Sequence, residues 1–246
     1  MPARPSRAVA LLAVLAGCAG APAAPAPPPI APADPALLAA LRAAIPLDPV
    51  PLEGDPYLAW RGSEPPAPPP GTVCGVRFEA DRVHYRLRTF GSAEAARAAG
   101  HAVTHEGACG TCSTLQDLAV YLERPDLTAP VRSCGMRLTR ADAQACLEGL
   151  GFSGPCAATW DANIENTRYA CFITCMLSWA EGQPATGPDG RLNPCLQCDE
   201  DRSGPVFKAT AGRTRRNSGI RSSIPRPAGE VAPVARDELP AAGASR

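Results

Sequence analysis

Two histidines and two cysteines fall within twelve residues of this 246-residue chain: His101, His105, Cys109 and Cys112. Imidazole nitrogens and thiolates at this density suit tetrahedral zinc or a copper centre. If 101–105 is a strand, both imidazoles point to one face, because side chains alternate with period two. The same loop supports a second chemistry. A short strand, Cys109-Gly110-Thr111-Cys112 and a helix start at Ser113 form the local layout of a dithiol pair whose thiolate a helix N-terminus stabilises. Both readings need reduced sulfur. The plainer alternative is two disulfide-bonded cysteines beside ordinary histidines.

The four residues Cys109–Cys112 resemble the thioredoxin active-site loop. Ala108 stands where an aromatic often precedes that motif, and eight further cysteines lie between Cys74 and Cys198 as competing partners. These are Cys74, Cys134, Cys146, Cys156, Cys171, Cys175, Cys195 and Cys198, all candidates for structural disulfides. Ten is an even number, which fits five bridges in an oxidising compartment. Spacing alone leaves about 945 pairings open, nine times the 105 of an eight-cysteine set. One constraint narrows them. Cys171 and Cys175 are i, i+4 on a helical pattern, so they share a face and are badly placed to bond to each other. Cys195 and Cys198 return after some twenty residues, so bridges from 195/198 to the 171/175 face are expected.

A third constellation is basic. Residues 202–229 hold Arg202, Lys208, Arg213, Arg215, Arg216, Arg221 and Arg226 and no acid. Gly212 and Gly219 bracket the centre, and backbone N–H groups in such turns can cradle an anion beside Arg forks. Lys208, Arg213, Arg215, Arg216 and Asn217 are therefore candidate ligands for a carboxylate, a phosphate, a lipid head group or an acidic envelope partner. Internal neutralisation by Asp199, Glu200 and Asp201 is the alternative. Neither Gly-x-Ser-x-Gly nor His-Glu-x-x-His occurs, and no catalytic residue can be assigned. The formal net charge of zero gives no reason to expect a nucleic-acid partner.

Where the chain resides is written at its start. Arg4 and Arg7, the uncharged run Ala8–Ala16 and small residues before Cys18 form a secretory signal. The apolar run is far short of the ~20 residues that span a bilayer. Leu15-Ala16-Gly17-Cys18 resembles the lipobox of bacterial lipoproteins, over residues 1–18 alone. The resemblance implies cleavage before Cys18, lipid on its sulfur, and anchorage to a membrane. Ala19 follows Cys18 rather than Asp, which in that class implies the outer membrane, facing the periplasm or the surface, in a host that has one.

These constellations need a scaffold. Residues 1–17 read as the signal, and 18–36, with seven prolines, as an extended tether reaching roughly 50 Å at ~3.1 Å per residue. Residues 37–70 read as a short helix (36–45, with Leu37, Leu38, Leu41 and Ile45 on one face, stopped by Pro46) and a Pro-rich wrap. Tyr57, Leu58 and Trp60 are its docking residues. Residues 71–224 form a cysteine-rich domain, and 225–246 a disordered tail. Val76, Phe78 and Ala80, then Val83, Tyr85 and Leu87, alternate around Asp81-Arg82 as a hairpin. Helices follow over 92–99, from the Ser113/Gln116 capping pattern to Pro125, from Thr139 to Gly149, and over 160–179, where Trp160, Ile164, Thr167, Cys171 and Cys175 share a face. After Glu181 the chain reads as loop-rich. Aromatics make up 5% of the chain, too few to supply most of a core, so disulfides must contribute. The expected fold is α+β and disulfide-rich, mostly helical after residue 113. The expected function is a non-enzymatic, lipid-anchored binding or structural module of the cell envelope, with residues 202–226 as its contact surface. The alternative is an oxidoreductase or metal-handling protein using Cys109 and Cys112.

Overall fold

The computed structural model describes residues 30, 32–187, 189–222, 224 and 228–234. The signal, Cys18 and the tether up to residue 29, with residue 31, lie outside the described residues. The fold is α+β, with a four-stranded sheet in the order β1-β3-β2-β4 and mostly helix after residue 113.

Helix α1 (Pro35–Ala43) starts where Asp34 accepts from the Ala36 N–H and Pro35 sets the first φ. Its buried Leu38 and Leu41 join the main core, so the domain begins near residue 34 and not at 71. The helix ends at Ala43. Ile45–Pro46 is instead β1, a two-residue parallel edge strand on β3, a place where proline's missing N–H is tolerated. In the wrap, α2 (Pro56–Ala59) docks through Tyr57, whose hydroxyl donates to Asn163 Oδ1 (2.7 Å) and reaches Ser203 O (3.0 Å). Leu58 stays exposed.

The hairpin forms as expected from β2 (Val73–Phe78) and β3 (His84–Phe90), antiparallel with Val76 opposite Leu87. Its turn succeeds without glycine because Asp81 Oδ1 accepts from the Val83 and His84 N–H groups, 2.9 Å each, holding Arg82 at φ 59°. Helix α3 (Ala93–Ala98), capped by Ser92, leads to β4 (Ala102–Glu106), which pairs with β2 and places His105 opposite Cys74.

Helix α4 (Leu115–Glu123) is capped by Thr114, not Ser113: Thr114 Oγ1 accepts from the Asp117 N–H (3.1 Å). The pattern is right and one residue late, because the Ser113 hydroxyl is turned into the core. Helices α5 (Thr128–Gly135), α6 (Arg140–Gly149, capped by Thr139) and α7 (Gly154–Ala180) follow. The expectation of loop beyond Glu181 is corrected by α8 (Pro194–Arg202) and α9 (Gly204–Ala211). Their Asn and Pro residues are not loop formers here. Asn193 is an N-cap accepting from the Leu196 N–H, and Pro194 and Pro205 occupy first-turn positions where a missing N–H costs nothing.

The core joins Val76 and Tyr85 of the sheet to Leu115, Leu118, Val120, Leu147, Phe152 and Cys156. Each such side chain fully buried contributes about 1.5–3 kcal/mol. Trp160 bridges Phe152 and Phe207, with ring centroids at 5.9 and 4.5 Å, and so links α7 to α9. The expectation of a disordered tail from 225 is corrected for 228–234. Glu230 pairs with Arg216 (2.7 Å) and the Ala232 N–H donates to Arg216 O (2.8 Å). Residues 235–246 lie outside the described residues.

Candidate functional site

The ten cysteines of the domain form five bridges: Cys74–Cys109, Cys112–Cys156, Cys134–Cys146, Cys171–Cys198 and Cys175–Cys195. The i, i+4 pair on α7 is bridged to the i, i+3 pair on α8, as its helical spacing requires. The Cys109/Cys112 dithiol does not form. Cys109 is bonded to β2 and Cys112 to the first turn of α7, and Cys112 is fully buried. Helix α4 begins three residues beyond Cys112, past the place where its N-terminus would act on either sulfur. The loop is a packing seam instead. The Thr111 and Cys112 N–H groups donate to Thr210 O (3.0 Å) and Ala211 O (2.9 Å). A Cβ on Gly110 would lie 2.4 Å from Thr210 O, so glycine is needed for backbone approach and not for a redox turn.

The zinc or copper set is undone by the same bridges, which leave neither sulfur as a thiolate. Among the described residues no group of three or more His, Cys, Asp or Glu side chains is placed to hold a metal. His101 packs edge-on against Phe90 (4.7 Å), and its Nδ1 lies 3.0 Å from Ala99 O. His105 is fully buried between Glu106 O (Nδ1, 2.9 Å) and Ser113 Oγ (Nε2, 2.8 Å), and Ser113 Oγ also accepts from the Gly110 N–H (2.8 Å). This looks like a nucleophile and base, yet both groups are enclosed and their hydrogen bonds are used within the core.

Burial, with Arg213 nearby, pushes the His105 pKa down to about 3 from 6.5. Between those values the unfolded chain binds a proton that the folded chain refuses. Stability is therefore intact above pH 6.5 and falls as pH drops toward 3, by at most about 1.4 kcal/mol per pH unit. His105→Gln, which keeps one donor and one acceptor, is expected to flatten this slope in thermal melts from pH 7 to 4. Burial raises the carboxyls of Asp117 and Asp199, which act in the opposite sense in both proteins and cancel in the comparison.

Most of the basic candidates are engaged by the protein's own groups: Arg213 is buried, and Lys208 and Arg216 are half-buried in ion pairs. Arg213 is enclosed by Cys112 O, Thr104 O, Ser113 O and Ser218 Oγ at 3.0–3.3 Å. Arg215 donates to Tyr121 O (2.7 Å) and Arg124 O and lies over the Tyr121 ring. Arg216 and Lys208 both pair with Glu200, at 3.6 and 2.9 Å. The Asn217 amide is held by Glu106 O and Gly212 O, both at 2.7 Å. Gly212 and Gly219 do make turns, at φ 69° and 66°, but the turns close around protein groups.

What the sequence reading missed is the outer side of α7. Residues 169–180 carry no charge. Cys171 and Ser178 are buried, and Cys171 and Cys175 are bonded to α8. On the other side Tyr169 is 91% exposed, Ile173 and Trp179 67%, Leu177 58%, Phe172 54% and Met176 44%. The spacing 169, 172, 173, 176, 177, 180 is that of one helical stripe. Behind it a polar cluster fixes the helix. Asp199 accepts from Thr167 Oγ1 and Asn163 Nδ2 (3.2 Å), and Thr167 Oγ1 meets Ser203 Oγ at 2.7 Å. Arg168 donates to Gly135 O and pairs with Glu165 (2.7 Å), fastening α5 to the same helix. The signal that would have found this surface is the uncharged dodecapeptide, apolar on both sides of a helix that has one covered face.

Over residues 140–234 the chain is similar to a family of unknown function (DUF8771). That stretch takes in α6 to α9 and the docked residues up to 234. No curated protein and no solved structure matches the chain.

Proposed function

We propose that this chain is a lipid-anchored docking module of the cell envelope, non-catalytic, whose working surface is the exposed apolar side of α7 and whose partner there is an apolar protein surface. The observation that carries this reading is the stripe from Tyr169 to Trp179. Contiguous exposed apolar patches beyond about 300–600 Å² are rare on soluble monomers and mark contact sites. Aromatic residues and Met are the types enriched at interface cores. The other constellations support it by elimination of use: the sulfurs, His105 and Arg213 are committed inside the fold, and Lys208 and Arg216 are held in ion pairs. Among the described residues no helix is long and apolar enough to cross a membrane.

The lipobox-like Leu15-Ala16-Gly17-Cys18 and Ala19 support attachment at the outer membrane, and five bridges suit an oxidising compartment. The Pro-rich tether then holds the domain away from the bilayer. The test has two arms. Cys18→Ser is expected to move the protein from the membrane to the soluble envelope fraction. A photo-crosslinking residue at Ile173 or Met176 is expected to give an adduct in intact cells, and one at Glu53 none. No adduct from either α7 position overturns the docking surface.

A further inference from the structure

We infer that the occupant of the α7 face is a second copy of this chain, paired with it antiparallel about a two-fold axis; this rests on the docking reading above. Three observations converge. The first is area. At the exposures of the six large side chains, on the order of 800 Å² is open, which is what one partner contributes to a standard specific interface. The second is shape. Tyr169, Ile173 and Leu177 form one i, i+4 row, with Phe172, Met176 and Ala180 beside it, the ridges that a second helix of the same surface can interdigitate with.

The third is size at the ends. An antiparallel pairing centred between Thr174 and Cys175 sets the open Tyr169 ring against the small Ala180 of the second copy, where a parallel one would set two Tyr169 rings together. A bilayer suits the surface less well. Residues 169–180 carry no Lys or Arg that would draw the face to an anionic leaflet.

The test is sedimentation velocity on the secreted chain with Cys18→Ser, free of micelles. The expected result is a dimer at tens of micromolar, converted to monomer by Ile173→Glu/Met176→Glu with an unchanged circular dichroism spectrum and melting temperature. A monomer at all concentrations overturns the inference. If that monomer still crosslinks at Ile173 to another envelope protein, or floats with phosphatidylglycerol vesicles, the face is occupied by something other than its twin. A dimer indifferent to Ile173→Glu/Met176→Glu also overturns it, because the contact then lies elsewhere.

Discussion

Arg213→Ala is expected to destabilise the domain by about 3–5 kcal/mol, because it strips several buried acceptors of their donor at once. The side chain is the largest of the fully buried ones, at 0% exposure. Its fork joins three separate pieces of chain: Nε donates to Cys112 O (3.1 Å) and Nη2 to Ser113 O (3.0 Å), while Nη1 donates to Thr104 O (3.2 Å) and Ser218 Oγ (3.3 Å). Truncation leaves these acceptors buried beside a cavity, and each orphaned group costs roughly 1–3 kcal/mol. For a domain of this size about 4 kcal/mol lowers the melting temperature by roughly 8–16 °C. Arg213→Lys retains the charge and loses the planar fork, so it should recover less than half of the loss. A melt of Arg213→Ala within about 1 kcal/mol of wild type would show that the residue is dispensable to the core.

Removing the Cys112–Cys156 bridge should cost a similar amount. It closes 44 residues and is buried at both ends, and the chain-entropy model gives about 4 kcal/mol for a loop of that length. Cys112→Ala/Cys156→Ala is expected to lower the urea midpoint of the whole domain, because the bridge ties the seam at 110–112 to the first turn of α7. Cys175→Ala/Cys195→Ala, with a 20-residue separation and about 3 kcal/mol by the same model, should act more locally. It frees one end of α8 from α7, so limited proteolysis should cut between residues 181 and 193 before the core melts. If the two double variants lost stability equally and without local cleavage, the bridges would not divide the work in this way.

Local signals carried a good part of the fold. The caps Ser92 and Thr139, the alternation around Asp81-Arg82 and the long helical period ending at Trp179 are properties of short windows, and α3, α6, the hairpin and α7 follow from them. The pairing of α7 with α8 through sulfur was legible for the same reason: helical spacing fixes which faces two cysteines share. Cys74–Cys109 was not, because it depends on the register that sets Cys74 opposite His105 across two strands. Helices α8 and α9 were hidden by Pro, Asn and Asp, which mark a loop in composition and a helix start in position. The basic segment misled most. Counting charges assumes that they face water, whereas Arg213 is buried by carbonyl groups some 100 residues away in sequence, which no window contains. The α7 surface was half legible. Its lack of charge was on the page, but which side α8 covers is a tertiary fact.

The cysteines are staples that hold α7 with its apolar side outward, rather than reagents. Peptide mapping of the unreduced mature protein by mass spectrometry, with a thiol count, tests this most directly. The predicted result is Cys109 linked to Cys74, Cys112 linked to Cys156, the two α7–α8 bridges and Cys134–Cys146, with no free thiol among the ten. A peptide holding Cys109 bonded to Cys112, or free thiols at that pair, would contradict it and return the loop to redox or metal chemistry.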